Sequence, residues 1–90
     1  MQNREVLVVN KLGLHARAAV KLVKLASSFQ SSIQLVRETH CANGKSIMGV
    51  MMLAASKGTA LELVADGEDE EQALECLVAL FHSGFEEGLL

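Results

Sequence analysis

One histidine lies where the sequence predicts the start of a helix, and this placement allows chemistry on a phosphate. His15 directly precedes a segment whose apolar residues recur every three and four positions, so the first helix amides, around Ala16 to Ala18, have no partner inside it. Such amides, together with the positive end of the helix dipole, bind oxyanions. A neutral imidazole here can attack a phosphoryl group without a general base, because its lone pair is available near pH 7.

Arg17 supports the same interpretation, because its guanidinium adds a permanent charge and a fork of donors that matches a phosphate group. A histidine near a helix start is more often an ordinary solvated residue, so three functions remain open. They are a phosphoryl carrier, a non-covalent anion-sensing or regulatory module that uses the same helix end, and a metal-dependent hydrolase.

Metal chemistry has little support in the sequence. Cys41 and Cys76 are far apart and lack a CxxC spacing, and the neighbours His40 and Cys41 point to opposite faces of a predicted strand. We therefore expect no metal site and no cofactor. Both cysteines are expected to be reduced, with Cys76 a buried small hydrophobe on an apolar helix stripe.

A second segment, residues 47–53, is apolar on every side of a short predicted helix. A domain of 90 residues cannot bury a helix all round, so part of this helix must face solvent. An exposed patch of Ile and Met beside a positive site suits protein docking. The alternative is that Val50 and Leu53 belong to the core and that the other side chains are merely half-exposed.

The surrounding chain predicts the elements that position these residues. Ser46 is a good N-cap for the apolar helix, and Asp69 and Gln72 have the spacing of a capping pair before the last helix. The order strand, helix, strand, strand, helix, strand, helix (βαββαβα) favours an α+β open-faced sandwich, with antiparallel strands and helices on one face. The predicted strands are residues 4–9, 31–37, 40–42 and 59–65, and the predicted helices are residues 16–29, 47–53 and a long one after Asp69.

Composition restricts the remaining classes. The chain has 90 residues, half of them apolar, which suits a single domain over residues 1–90. All eight basic residues lie before position 58 and most of the eleven acidic residues follow position 60, so the first part of the chain is positive. An acidic protein partner fits this charge better than nucleic acid, because Trp and Tyr are absent. The longest apolar run is far shorter than the roughly 20 residues of a membrane helix, and Arg4 and Glu5 interrupt any secretory signal, so we expect a cytoplasmic protein without membrane insertion.

Residues 13–19 read Gly-Leu-His-Ala-Arg-Ala-Ala and resemble the active-site segment of the HPr family of phosphocarriers. The resemblance covers nearly the whole chain, including residues 44–51, the pair Lys57-Gly58 and the order of the elements. It implies an HPr-like fold with a four-stranded sheet and three helices. It also implies that His15 accepts the phosphoryl group through its δ nitrogen from enzyme I of the phosphoenolpyruvate-dependent phosphotransferase system. Such a chain passes the group to enzyme IIA domains and is a monomeric carrier, not an enzyme.

The resemblance also assigns roles around this histidine. It makes Arg17 the neighbouring site arginine, and the backbone of Ala16, Arg17 and Ala18 the phosphate-binding amides. Members of the family usually have proline where this chain has Ala18. The absence of proline should loosen the first turn of the helix and leave one more backbone amide free to donate, which would adjust phosphoryl transfer without preventing it. The family docks its partners on the apolar helix, which implies that Ile47, Met48 and Met51 are the contact residues.

Two segments point to different branches of the family. Residues 10–13 and 83–87 look like the nitrogen-type carrier often called NPr, whereas the surroundings of Ser46 look like carriers regulated by a serine kinase. The resemblance leaves sugar transport and nitrogen or metabolic regulation both open; we favour a regulatory carrier, with Ser46 as a second, regulatory phosphorylation site. An HPr serine kinase/phosphatase is then a further partner.

Overall fold

The computed structural model describes residues 1–86, and Glu87, the last residue of the 83–87 segment, lies outside this range. Strands and helices follow one another in the order that the sequence predicts. They are β1 (Gln2–Leu7), α1 (Ala16–Ser27), β2 (Ser32–Arg37), β3 (His40–Asn43), α2 (Ile47–Met52), β4 (Ala60–Asp66) and α3 (Glu70–His82).

The four strands form one antiparallel sheet in the order β1-β4-β2-β3. Alternation along each strand decides its two faces: β4 turns Leu61 and Leu63 into the core and Glu62 to solvent. The register aligns these buried residues with those of the neighbouring strands, since Val6 lies opposite Leu61 and Leu35 opposite Leu63. One face is therefore apolar and covered by the helices, and the other is open, which confirms the predicted open-faced sandwich.

The helices cover the apolar face with stripes at helical spacing. α3 packs on β1 and β4, while α1 packs on both other helices. Within residues 1–86, no helix is both long enough and apolar enough to cross a bilayer. The buried side chains are Ala18, Ala19, Leu22 and Ala26 in α1, Val50 in α2, and Ala73, Leu74, Leu77 and Phe81 in α3. Phe81 also packs edge to face on Phe85, with ring centroids 4.8 Å apart.

Three basic side chains bind carbonyl oxygens beyond the ends of the helices. Lys45 Nζ donates to the Phe29 carbonyl after α1 at 2.8 Å, and Lys21 Nζ donates to the Phe85 carbonyl after α3 at 2.7 Å. Arg37 Nη1 likewise donates to the Leu53 carbonyl at the end of α2, at 2.7 Å. The Leu53 carbonyl belongs to the C-cap of α2, which lacks a partner within the helix, so Arg37 satisfies it. The two lysines instead fix the turns that follow α1 and α3. The distribution of charge along the sequence, taken alone, would place these three residues on a surface that binds an acidic partner.

Asp69 precedes α3 but does not cap it, so the capping pair predicted from its spacing with Gln72 is wrong. Its side chain makes no capping bond. The carboxylate instead accepts hydrogen bonds from the Gln30 and Ser31 amides, each at 2.9 Å, and from the Ser31 hydroxyl. The Ser31 hydroxyl, followed by the amides, holds the pKa of Asp69 below its ordinary value. A contact distant in sequence therefore overrides the local pattern and ties the start of α3 to the turn before β2.

Candidate functional site

A tight turn and a neighbouring loop hold the segment that leads into His15. The Asn10 Nδ2 donates to the Gly13 carbonyl at 2.6 Å, and the Gly13 amide donates to the Asn10 carbonyl at 3.2 Å. Gly13 has a φ of +66°, and a Cβ there would collide with the Ala55 carbonyl oxygen, so only glycine fits. The Leu14 amide then donates to the same Ala55 carbonyl at 2.9 Å. The backbone is thus fixed one residue before His15.

His15 is the N-cap residue of α1, at the helix start that the sequence predicts. Its backbone is extended, with φ −72° and ψ 179°, and its side chain does not cap the helix. The first backbone bond of the helix runs from the Ala19 amide to the His15 carbonyl at 2.8 Å, so the amides of residues 16–18 precede the helical ladder. The first turn contains no acidic residue. The half-buried imidazole therefore lies at a positive helix end that no carboxylate in the same turn offsets.

Ala16, Arg17 and Ala18 form the first turn of α1, directly after His15. Ala16 and Arg17 are exposed, so their surroundings are open to a ligand at the helix start. Ala18, in contrast, is fully buried. The helix forms here without the proline usual in the resembling family, because Ala is the best helix former and fits the buried position.

The apolar helix α2 divides into a buried side and an exposed side. Val50 and Leu53 are 0% and 6% exposed and belong to the core. On the other side, the four large apolar residues Ile47, Met48, Met51 and Met52 are 41%, 69%, 39% and 79% exposed, and we call them the methionine patch. Three of them are the contact residues that the family resemblance implies. Met52 is not among the residues that the resemblance implies, although its spacing of four from Met48 places the two on one helix face.

Ser46 caps α2, as the sequence predicts. Its Oγ accepts a hydrogen bond from the Gly49 amide at 3.1 Å, and its carbonyl accepts one from the Val50 amide at 3.0 Å. Ser46 is half-buried and Ile47 and Met48 follow it directly. Any charge added to its hydroxyl would therefore lie at the edge of the methionine patch.

The remaining candidate residues lie elsewhere. Cys41 is exposed on the open sheet face, where its Sγ donates to Gln34 Oε1 at 3.3 Å. Cys76 is only half-buried, contrary to the prediction of a buried side chain, because the buried stripe of α3 runs through Leu74 and Leu77 and leaves Cys76 at its edge. Among the described residues, no three His, Cys, Asp or Glu side chains are grouped so that they could hold a metal ion.

Comparison with known proteins gives one consistent result. The family described as "PTS HPr component phosphorylation site" matches residues 2–83 of the chain. The phosphocarrier protein HPr of Xylella fastidiosa is 52% identical and covers 97% of this chain and 98% of its own length. That of Pseudomonas aeruginosa is 51% identical over 93% of this chain and 94% of its own.

A solved structure agrees with these sequence matches. The crystal structure of HPr from Thermoanaerobacter tengcongensis has a TM-score of 0.94 to this chain, at 44% identity, and covers 99% of this chain and 100% of that one. Proteins of this family are phosphocarriers, not enzymes, and they interact with enzyme I and enzyme II components of the phosphotransferase system. The chain belongs to the HPr family of phosphocarrier proteins.

Proposed function

We propose that this chain carries a phosphoryl group on His15, which it takes from an enzyme I-type donor charged by phosphoenolpyruvate and passes to enzyme IIA-type acceptors. One observation carries the proposal: His15 is the N-cap residue of α1, directly before a first turn without acidic residues. Such a site tolerates the added charge of a phosphohistidine. The carrier would act as a single cytoplasmic domain over residues 1–90, as a monomer and without a cofactor.

The transfer requires only His15 and the donor. The Nδ1 lone pair of the neutral imidazole forms the new bond to phosphorus while the bond between phosphorus and the donor breaks, and its electron pair leaves on the donor. The phosphoryl oxygens would then accept hydrogen bonds from the amides of Ala16, Arg17 and Ala18. The Arg17 guanidinium would offset their charge.

The methionine patch would supply the docking surface. Its exposed apolar side chains lie on α2, which packs against α1. The exposed Lys57, which follows the patch in sequence, would favour an acidic partner. Ile47, Met48 and Met51 are the proposed contacts, joined by Met52 because it is the most exposed of the four. Met side chains adapt to differently shaped partners, which suits a carrier that meets both a donor and an acceptor.

Ser46 would be the regulatory site, phosphorylated by an HPr serine kinase/phosphatase. Its position as N-cap of α2 supports this role, because a phosphate there lies beside the first amides of the helix and leaves the fold intact. The same charge would lie beside Ile47 and Met48 and repel an acidic partner. A carrier controlled in this way belongs to regulation more naturally than to sugar transport alone.

Intact mass after incubation with enzyme I and phosphoenolpyruvate tests the proposal. The parent chain should gain one phosphoryl group, and lose it again when an enzyme IIA domain is added. His15→Ala should gain none, whereas His40→Ala, which removes an exposed histidine from β3, should behave like the parent. Reversible binding of phosphate without any change in mass would favour the non-covalent regulatory module instead.

A further inference from the structure

Arg37 reaches from the sheet to the segment that leads from α2 toward His15. It is the last residue of β2, and its Nη1 donates to the Leu53 carbonyl at 2.7 Å and to the Ala54 carbonyl at 3.2 Å. Leu53 is the C-cap residue of α2 and Ala54 follows it. One guanidinium therefore binds two successive carbonyls where the helix ends.

Ala54 has a backbone conformation that needs such support. Its φ is +51°, in the left-handed region where a Cβ is disfavoured and where the residue after a helix is most often glycine. Its amide donates to the Met51 carbonyl at 3.0 Å, which closes the last turn. A non-glycine residue keeps this conformation only when its surroundings hold it, and the two bonds from Arg37 lie on either side of the Ala54 φ and ψ angles.

Ala55 connects the conformation of Ala54 to the backbone that precedes His15. The buried Ala55 offers the carbonyl that accepts the Leu14 amide at 2.9 Å, and the same oxygen lies against Gly13 with no room for a Cβ. Leu14 is followed directly by His15. Because Ala54 fixes the direction of the Ala55 peptide, a change of conformation at Ala54 would move the acceptor that seats the backbone before His15.

We propose that Arg37 is a positioning residue for phosphoryl transfer, which holds residues 53–55 in the conformation that seats Leu14 and hence His15. The inference rests on the proposed role of His15 as phosphoryl acceptor. Arg37 itself does not touch the transferred group. Its effect should therefore appear in the rate of the transfer step and not in the affinity for the donor.

The first test compares Arg37→Met with the control Arg4→Met in charging by enzyme I, with the chain as varied substrate. Arg4 is exposed on β1 and donates only to its neighbour, the Asn3 carbonyl, at 2.8 Å among the described contacts. Arg37→Met should lower kcat roughly tenfold, since small misplacement of a reacting group costs this much or more, with KM nearly unchanged. Arg4→Met should leave both parameters unchanged. A normal kcat in Arg37→Met, or a defect confined to KM, overturns the proposal.

A second substitution tests the route through Ala54. Glycine adopts a φ of +51° without strain, so Ala54→Gly should restore most of the lost kcat in the Arg37→Met background. If Ala54→Gly restores none of the lost kcat, Arg37 does not act through the conformation of Ala54. If Arg37→Met does not fold, Arg37→Lys replaces it. Its ammonium keeps the charge but lies one bond closer to the backbone than Nη1 does, so it should not reach both carbonyls, and kcat should fall and again recover with Ala54→Gly.

Hydrogen exchange separates this inference from the proposed function. The Leu14 amide should exchange faster in Arg37→Met than in the parent, while amides in the centre of β4 keep the parental rate. If the Leu14 amide exchanges at the same rate in Arg37→Met and in the parent, the positioning role of Arg37 is overturned, whether or not His15 is phosphorylated. Failure of the parent chain to be charged would instead contradict the proposed function and leave the exchange result to decide on Arg37.

Discussion

The three histidines of the chain show how surroundings select a phosphoryl acceptor. His40 is exposed at the start of β3 and borders a surface depression with Met52, Leu53 and Ala54, at the negative C-terminal end of α2. His82 lies in the last turn of α3, where the dipole is negative and a phosphate would be repelled. Of the three, only His15 is itself the N-cap residue of a helix. The imidazole is common to all three, so the helix end decides between them.

Arg17→Ala should slow charging of His15 without preventing it. The helix amides remain, but a charge-assisted contact worth about 1.5 to 3 kcal/mol is lost, which corresponds to roughly a ten- to hundredfold lower rate. Rapid-quench measurement of charging by enzyme I gives this rate. Lys24→Ala is the control, because it removes an exposed cation from the other end of α1 and should have little effect. Equal rates for Arg17→Ala and the parent would show that Arg17 is only surface charge.

Ser46→Asp should weaken donor docking and leave α2 folded. A carboxylate also caps a helix start, so the melting temperature should stay close to that of the parent. The added charge beside the methionine patch should raise KM for enzyme I roughly tenfold, because it repels an acidic surface. Ser46→Asn, an uncharged cap, is the matched control and should keep the parental KM. Charging of Ser46→Asp at the parental rate and KM would reject the regulatory role.

At the scale of elements, contacts between elements that are distant in sequence decide the details. The Ser46 cap lies within its own helix and could be predicted from local sequence. Asp69 looks locally like a cap as well, yet it binds the turn before β2. Lys21, Arg37 and Lys45 bind carbonyls that only the folded chain brings near. Local patterns therefore predict the order of elements and the helix start at His15, whereas tertiary hydrogen bonds need the structure.

The Asp69 bridge predicts a pH dependence of stability. Its folded-state pKa is lowered, so its contribution is fully present above the unfolded value of about 3.8 and is lost as pH falls through the lower, folded value. Urea unfolding should show Asp69→Asn less stable than the parent at pH 7, with the difference shrinking below about pH 4. Glu71→Gln, which removes an exposed carboxylate from the same helix, is the control. A difference that is independent of pH would exclude the bridge as its cause.

At the scale of the whole molecule, the fold separates a stable scaffold from an exposed working face. The sheet and α3 bury the large side chains, and the exposed apolar side chains of α2 remain on the surface. The sequence could predict that a helix this apolar cannot be buried all round. It could not predict which basic residues are exposed: Arg4, Lys11, Arg17, Lys24 and Lys57 are, whereas Lys21, Arg37 and Lys45 are half-buried and bind backbone carbonyls.

Met48→Glu should impair docking far more than folding. Met48 is 69% exposed, so the substitution removes little packing but places a charge within the methionine patch. KM for enzyme I should rise at least about tenfold while the melting temperature changes little. The control is Leu7→Glu, which puts the same charge on an exposed apolar residue of β1. Equal effects of the two substitutions on KM, or a large loss of stability in Met48→Glu, would contradict the docking role.

The identity of the phosphorylated atom tests the central claim most directly. After charging of ¹⁵N-histidine-labelled chain with enzyme I and phosphoenolpyruvate, NMR should show a one-bond coupling between ³¹P and Nδ1 of His15, with the signals of His40 and His82 unchanged. A coupling at either of the other two histidines, or at Nε2 of His15, would contradict the account, and so would a chain that acquires no phosphorus at all.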